Sequence, residues 1–535
     1  MSILRIGGIA SGFDTEQIIK DLMRVERMKV DKSYQKRQVF EWQKDQFRFL
    51  TNKVRSFRDT YFDILKPETN ILHASNLKKM EVTSSDPAVV TARANADAAT
   101  GTTEFEVLQS ATAAKAAASG VTGAGGEHLS LEDTMAAVST KLAGGPLSFD
   151  ENGEFTMTIN DTPITVNEND TLRTVLSRIN TSTAGVQASY SSFSDTFTFT
   201  AKETGEQFIT VDDGGNFFVA LGLKTAGGQP EIGEAGRDAL FKIDGFEGTR
   251  TSNNFTIDGI TYSINQQIDA PTAAIQINVS VDANAVYNTI ESFVNDYNQL
   301  IDDISSKLSE ERFRGFPPLT DEQKEAMNEK DIEKWEEKAQ SGLLRRDPAL
   351  EALLDKMRTA MYDAVGSEHL TAIGIETSSN YLDNGKLVLK NGGADLRAAI
   401  EQNPDMVVEL FTKQSETDYS PNLTAEERAS RYEESGLAHR ISDILNDNVR
   451  TTRDNGNRKG TLLERAGIEG DISEFNNYFN KQINQVNERI DKVNEMLIRK
   501  ENQYYRQFTA MEKALQQLYA QGDWLASQLQ QNQPM

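Results

Sequence analysis

The sequence predicts a multidomain α+β protein with a coiled-coil or helical stalk from the two chain ends and a β-rich head of two lobes. Near both ends, apolar residues recur at steps of three and four, the spacing of a helical seam. From about Glu81 to Val281 the composition shifts to Thr, Ser, Gly, Asn and Asp, with period-two alternation. The 535 residues suggest three or four domains of about 150 residues each.

The N-terminal seam lies in a predicted long helix that should end near Pro67, which cannot continue a helix. Its apolar positions are Phe47, Leu50, Val54, Phe57, Tyr61 and Ile64. An earlier helix from Thr15 to about Lys32 has the same spacing, and the polar stretch from Lys32 to Arg37 separates the two. The sequence therefore predicts two helices before the head.

The C-terminal seam is longer, and its register slips near Lys500, which would locally rewind a supercoil. Its apolar positions are Ile483, Val486, Ile490, Val493, Leu497, Phe508, Met511, Leu515 and Leu518. No proline occurs from Asp471 to Gln533, so one very long helix is expected. A third seam runs from Val286 to Ile304. The simplest partners for the terminal seams are each other, although ordinary helical-domain core is the alternative.

The middle of the chain predicts strands joined by tight turns. Asp244-Gly245 and Asp258-Gly259 each follow a short alternating run, a strong hairpin signal. A short helix from Leu172 to Ile179 interrupts the strands. The Ala/Gly-rich stretch from Ala111 to Gly126 is interpreted as the connection between the two lobes.

Composition excludes several function classes and predicts no enzyme, metal or cofactor site. The net charge of −25 disfavours binding to nucleic-acid phosphates. Cysteine is absent, and the histidines, His73, His128, His369 and His439, are too far apart for a helical zinc pair. No apolar run reaches the roughly 20 residues of a membrane helix, and the N-terminus lacks the pattern of a cleaved signal.

Both ends and several internal segments resemble the flagellar filament-capping family, that of hook-associated protein 2. The opening and closing signatures are Ile9–Glu16, Leu22–Arg27, Tyr504–Glu512 and Gly522–Leu525. The internal matches are Ile179–Val186, Phe197–Ala201, Ala239–Gly245, Thr251–Asn254, Leu319–Ala326 and Trp335–Lys338. The closing signature departs from the family at Tyr519 and Gly522-Asp523, where Asn and Ser are more usual.

The resemblance implies an extracellular structural cap at the filament tip that guides flagellin folding and polymerisation. It implies a homo-oligomeric ring, with flagellin, hook–filament junction proteins and an export chaperone as further partners. Export would use the flagellar type III apparatus without a cleaved signal. The residues assigned to export and docking are Ile9, Phe13, Asp14, Ile18 and Leu22.

The expected domains follow these assignments. They are a mobile export and docking segment (1–40), a helical coiled-coil stalk and leg domain (41–78 with 284–535), an inner β lobe (79–115 with 236–283) and an outer β lobe (116–235). A secreted coiled-coil adhesin or surface-binding module would share the stalk and head. An acidic enzyme, or another flagellar protein such as flagellin or a junction protein, is the remaining alternative.

Overall fold

A computed structural model describes residues 14–123 and 127–531. The chain forms two compact units. One, the helical unit, contains the residues up to Leu77 together with those from Ala283 onward. The other, the β unit, is Lys78–Asp282. The predicted mixture of helices and sheets is confirmed.

The first helix, α1, is continuous over Thr15–Tyr61. Asp14 caps it, because its side chain accepts a hydrogen bond of 2.9 Å from the backbone N–H of Gln17. The predicted break at the polar stretch is wrong, since this stretch contains no Gly or Pro and polar residues continue a helix readily. No break occurs at residue 40 either, although the mobile segment was expected to end there.

Helix α1 ends at Tyr61, six residues before Pro67. The segment that follows the helix determines this end. The N–H of Ile71 donates to the carbonyl of Tyr61 at 3.0 Å, and Thr69 Oγ1 donates to the carbonyl of Thr60 at 2.5 Å. These bonds satisfy carbonyls that the last turn of a helix leaves without partners. Helix α2 (Ala74–Leu77) then leads into the β unit.

The β unit consists of antiparallel strands and three short helices within the described residues. The strands are β1 (Met80–Ser84), β2 (Val90–Ala94), β3 (Gly101–Gln109), β4 (Ala113–Ser119), β5 (Glu154–Ile159), β6 (Thr162–Asn167), β7 (Val186–Ser191), β8 (Thr196–Thr204), β9 (Ile209–Asp212), β10 (Glu231–Ile232), β11 (Ala239–Ile243), β12 (Phe246–Arg250), β13 (Asn254–Ile257), β14 (Ile260–Ile264) and β15 (Ile275–Val281). The helices are α3 (Met135–Lys141), α4 (Leu172–Thr181) and α5 (Phe217–Ala220).

Two separate hydrophobic cores lie inside this unit. The sheets β1-β15-β3-β11-β12 and β13-β14-β2 enclose one, in which Phe241 stacks on Phe255 at 4.5 Å and Phe105 on Tyr262 at 4.8 Å between ring centroids. The sheets β4-β8-β7 and β10-β9-β5-β6, with α4, enclose the other. The lobe boundaries expected from the sequence remain a prediction.

The two Asp-Gly hairpins are confirmed. Asp244 and Gly245 join β11 to β12 with φ of 47° and 83°, and Asp258 and Gly259 join β13 to β14 with 50° and 79°. Positive φ at both central residues is typical of a type I′ turn, whose twist matches the twist of the two antiparallel strands that it joins.

The interpretation of Ala111–Gly126 as a plain connection is wrong, because it contains β4. This strand pairs antiparallel with β8, where Ala116 lies opposite Phe199 and Ala118 opposite Phe197. Small buried side chains on one strand leave room for the rings of the other. Alanine has low β propensity, so the strand is specified by its partner rather than by its own sequence.

The rest of the helical unit is mostly helix. Its elements are α6 (Ala283–Ser309), α7 (Asp321–Glu325), α8 (Glu329–Gln340), α9 (Pro348–Tyr362), β16 (Ile375–Thr377), β17 (Leu387–Leu389), α10 (Ala394–Gln402), α11 (Pro404–Thr412), α12 (Ala425–Glu434), α13 (Leu437–Val449), α14 (Thr461–Ala466) and α15 (Tyr478–Gln531). Short 3₁₀ turns occupy Leu370–Ile373, Tyr381–Asp383, Lys390–Gly393 and Ile472–Glu474. The expected long C-terminal helix is confirmed as the 54 residues of α15.

An aromatic core joins α1 to α6 and α11. The ring of Phe293, 1% exposed, lies 5.6 Å from Phe57, 5.3 Å from Tyr61 and 6.2 Å from Phe411. The hydroxyl of Tyr61 donates to Asp296 Oδ2 at 2.6 Å. The third predicted seam is therefore helical and buried.

A buried ion pair fixes the loop that leads into α15. Lys459 Nζ lies 2.6 Å from both carboxylate oxygens of Asp471, and the Lys459 side chain is only 6% exposed. Burial raises the pKa of Asp471, but hydrogen bonds from Lys459 and Ser473 outweigh it and lower the value to about 2.

Replacing Asp471 with Asn is expected to cost about 3 kcal/mol of unfolding free energy at pH 7, because a buried ammonium loses its counter-ion. A lowered folded-state pKa gives stability that is present above the ordinary value of 3.8 and is lost as the pH falls towards 2. The difference between wild type and variant should therefore shrink over that window. Urea unfolding at several pH values measures it. The exposed Glu469→Gln is the matched control, and an equal loss in both variants would contradict the assignment.

Candidate assembly surface of the terminal helices

Helices α1 and α15 pack antiparallel. The rings of Phe47 and Phe479 lie 5.6 Å apart at one end of the contact. Further along, Asn494 Nδ2 lies 3.4 Å from the hydroxyl of Tyr34, and Lys500 forms an ion pair with Glu26. Hydrogen bonds from Lys500 and Lys29 lower the pKa of Glu26, so a charged pair closes this side of the contact. The chain ends thus form one helix pair.

The core of this helix pair is short and apolar. Val30 from α1 is buried with Val486 and Ile490 from α15. Phe40 of α1 and Val493 and Leu497 of α15 pack against them and are partly buried. Ile483, also on the predicted seam, is 9% exposed. The first five positions of the C-terminal seam thus lie on or beside the face towards α1.

The N-terminal seam has a different partner from the one expected. Phe47 contacts Phe479, but α15 begins at Tyr478, so the residues after Phe47 run past its start. Leu50 and Val54 are fully buried, and α1 also packs against α6, α13 and α14. The expectation that this whole segment pairs with the C-terminal seam is wrong. Phe57 and Tyr61 lie against Phe293, as described above.

Ile64 does not belong to the seam. It lies beyond the end of α1 and its side chain is 75% exposed. A heptad pattern assigns a face to a residue only if the helix continues to it. Here the turn after Tyr61 removes Ile64 from that face.

The first turns of α1 bury a different stripe from the predicted one. Ile19 and Met23 are 2% and 4% exposed, whereas Leu22 is 39% exposed and Ile18 only half-buried. Apolar residues occur in adjacent pairs here, so two stripes had the same spacing and the sequence did not choose between them. Of the other residues assigned to export and docking, Asp14 is the N-cap, and Ile9 and Phe13 lie outside the described residues.

The distal half of the helix pair exposes many large apolar side chains. On α15, Phe508 and Leu515 are half-buried, whereas Met511 and Leu518 of the predicted seam are 38% and 62% exposed. We call the exposed set the terminal apolar surface: Leu22, Val25, Met28, Met496, Ile498, Met511, Leu518, Tyr519, Trp524 and Leu525. Many exposed apolar side chains along one stretch of helix are typical of protein–protein contacts. Apolar spacing indicates which face of a helix can be buried, but it does not indicate where the partner helix ends. The sequence therefore did not predict how many of these residues are exposed.

Within 14–123 and 127–531, no group of three or more His, Asp or Glu side chains could hold a metal ion. Over the same residues, no helix combines the length and apolar character required to cross a membrane.

Comparison with known proteins accounts for this architecture. The family model described as flagellar hook-associated protein 2 C-terminus matches residues 236–520. This chain belongs to the flagellar hook-associated protein 2 family. The N-terminus model of the same family matches residues 11–114, and a flagellin hook IN motif matches 154–206.

One relative from the hook-associated protein 2 family covers nearly all of the chain, and others cover part of it. The flagellar hook-associated protein 2 of Halalkalibacterium halodurans is 31% identical over 549 residues, spanning 97% of this chain and 98% of the relative. That of Thermotoga maritima is 28% identical and spans 70% of this chain and 54% of the relative. A crystal structure of the D1-D2-D3 domains of the Escherichia coli flagellar cap protein has 19% identity and a TM-score of 0.52, covering 76% of this chain and 97% of that one, which shows the fold.

The hook-associated protein 2 family consists of structural proteins of the flagellar filament cap, not of enzymes. The alternative that this chain is an adhesin has no support from these relatives.

Proposed function

We propose that this chain caps the distal end of a flagellar filament and guides flagellin folding and polymerisation there. The observation that carries the proposal is the match of one family to residues 11–114 and 236–520, which contain α1 and most of α15. Flagellin is the partner that such a position requires.

The terminal apolar surface supports a role in assembly. Exposed apolar side chains are costly in water, and burial against a neighbour gains about 25 cal/mol per Å². A face used with a different face of the next copy produces a closed ring when the rotation permits. We therefore assign ring formation to this surface, with the distal half of α15 as its main element.

The further partners that we expect are an export chaperone and the hook–filament junction proteins. Export of the chain would begin at its N-terminus. A deletion that tests this route should end before α1, so that it does not also disrupt the helix. Removal of residues 1–13 leaves the helix from Thr15 onward intact. Loss of the protein from the culture medium, with normal levels inside the cell, would support this route, whereas normal levels in the medium would contradict it.

The function is tested in a strain that lacks the protein. Cells should have hooks with short or no filaments and release flagellin into the medium, because subunits leave the channel without being inserted. Electron microscopy of the filaments and immunoblotting of the medium measure this, with the wild-type chain restored as control. Full-length filaments and normal swimming in the deletion strain would sink the cap assignment.

The assembly surface is tested with Trp524→Ala combined with Leu525→Ala. Both side chains are more than half exposed, so stability should change by no more than about 0.5 kcal/mol. Self-association in sedimentation velocity and swimming should nevertheless fall sharply. The matched control is Phe193→Ala in the β unit, whose side chain is 96% exposed. Unchanged association of the double variant would exclude this part of the surface from the ring contact.

A further inference from the structure

A concave surface of the helical unit is lined almost entirely by arginine. It lies between the chain that follows α6 and the chain that precedes α9, with a volume of about 570 Å³. Apart from Gly342, its lining is the set we call the arginine cluster: Arg312, Arg314, Arg345 and Arg346. In a chain with a net charge of −25, such a concentration of positive charge requires an explanation.

Carboxylates of the described residues form no ion pair with the arginine cluster. Among the residues that the structure describes, no Asp or Glu oxygen lies within 4.0 Å of any of its guanidinium nitrogens. Two nearby carboxylates are already engaged, since Glu310 is 2.5 Å from Lys307 and Asp355 is 3.2 Å from Arg358. Glu351 shares an adjacent cavity with Arg345 and Arg346 but makes no ion pair with any residue that the structure describes. Within the part of the chain that the structure describes, the four guanidinium groups therefore have no directly paired carboxylate.

The cluster is built from two segments that are held in close contact. Gly342 has a φ of 66°, and a Cβ there would lie 2.8 Å from the carbonyl oxygen of Glu311 and 2.9 Å from Arg312 Cα. Only glycine allows this approach. Ser341 Oγ also donates to the carbonyl of Glu311 at 2.8 Å, and the N–H of Gly342 donates to Glu310 Oε2 at 2.9 Å.

Helix α1 holds the second segment from its other side. Gln43 Nε2 donates to the carbonyl of Leu343, and Gln46 Nε2 to that of Gln340, each at 3.0 Å. Arg346 has a φ of 55°, a left-handed conformation that residues with a Cβ adopt rarely. The guanidinium groups therefore project from a fixed backbone.

The guanidinium group of Arg312 is held by backbone carbonyls. One of its nitrogens donates to the carbonyls of Ala339 and Ser341, at 2.6 and 3.1 Å, so its partners are neutral. Burial, and then the neighbouring charge of Arg314, lower the pKa of Arg312. A bound anion would favour the charged form of Arg312 and so oppose both effects.

We propose that the arginine cluster binds an oxyanion with at least two acceptor oxygens, of the phosphate or carboxylate class. Guanidinium groups present paired N–H donors that match such oxygens. Two sources share this chemistry: a free inorganic anion, or the carboxylates of a second copy of this chain, whose acidic helices α7 and α8 carry many Asp and Glu residues.

The binding test uses the full chain, inorganic phosphate and isothermal titration at constant ionic strength, with chloride as the reference salt. Arg345→Gln combined with Arg346→Gln removes two exposed guanidinium groups and should weaken phosphate binding at least tenfold. The matched control, Arg173→Gln with Arg250→Gln, removes two exposed charges from the β unit and should bind like wild type. Circular dichroism confirms that both variants are folded. Equal binding by all three proteins, or no binding by wild type, overturns the proposal.

Sedimentation velocity then distinguishes the two sources. If the anion is a carboxylate of a second copy, phosphate should weaken self-association of wild type, and the cluster variant should associate less even without phosphate. If it is a free ion, phosphate binds and self-association stays unchanged. This outcome is independent of the cap assignment, which is decided by filament length.

Discussion

Val54→Asp is expected to unfold the helical unit. Val54 is fully buried, and α1 packs against α6, α13 and α14. A carboxylate there would be desolvated with no partner, a change that costs more than about 4 kcal/mol. Thermal melting followed by helical circular dichroism would show loss of the cooperative transition or a large fall in its midpoint.

Ile64→Asp is the matched control. The heptad spacing places Ile64 on the same seam as Val54, yet its side chain is 75% exposed beyond the end of α1. Its stability should change by about 0.5 kcal/mol or less. A loss as large as that of Val54→Asp would mean that the seam continues past Tyr61, contrary to the structure.

A chain that ends at Gly470 is expected to lack a folded helical unit. Cells that carry only this truncated chain should not swim. It loses all of α15, which exposes Val30 and Phe47, and it loses Asp471, the partner of Lys459. The truncation removes a buried counter-ion and one side of an apolar contact. Their combined free-energy cost exceeds the total free energy of unfolding of many domains.

The β unit should survive this truncation, because both of its cores lie within Lys78–Asp282. Limited proteolysis should therefore yield a resistant fragment of about that length. A chain that ends at Ala520 is the control, since it keeps the buried contacts of α15, and residues 521–528, which it loses, are exposed. A cooperative helical transition in the shorter chain would contradict the role given to α15.

Local signals predicted the elements that depend on local chemistry. The Asp-Gly hairpins, α4 and the uninterrupted α15 follow from turn residues, spacing and the absence of proline. The polar stretch from Lys32 to Arg37 predicts a boundary by its composition, but its residues have good helix propensity and α1 continues through it. Strand β4 was missed because alanine does not favour strands by itself.

Packing partners could not be predicted from periodicity alone. The spacing identified Phe57 and Tyr61 as buried, but the helix that covers them is α6 rather than α15. The arginine cluster depends on a contact between two segments about 30 residues apart, which Gly342 permits. No local pattern in either segment indicates that contact.

The two members of the helix pair lie at opposite ends of the sequence, and this fixes an order of events as the chain is made. A polypeptide emerges from the ribosome N-terminus first, so α1 exists long before the residues from Tyr478 onward that cover its Val30 and Phe47. The β unit, at Lys78–Asp282, can complete its cores in the interval. The helical unit can close only after α15 has been made, so the packing of α15 on α1 cannot precede synthesis of the residues from Tyr478 onward.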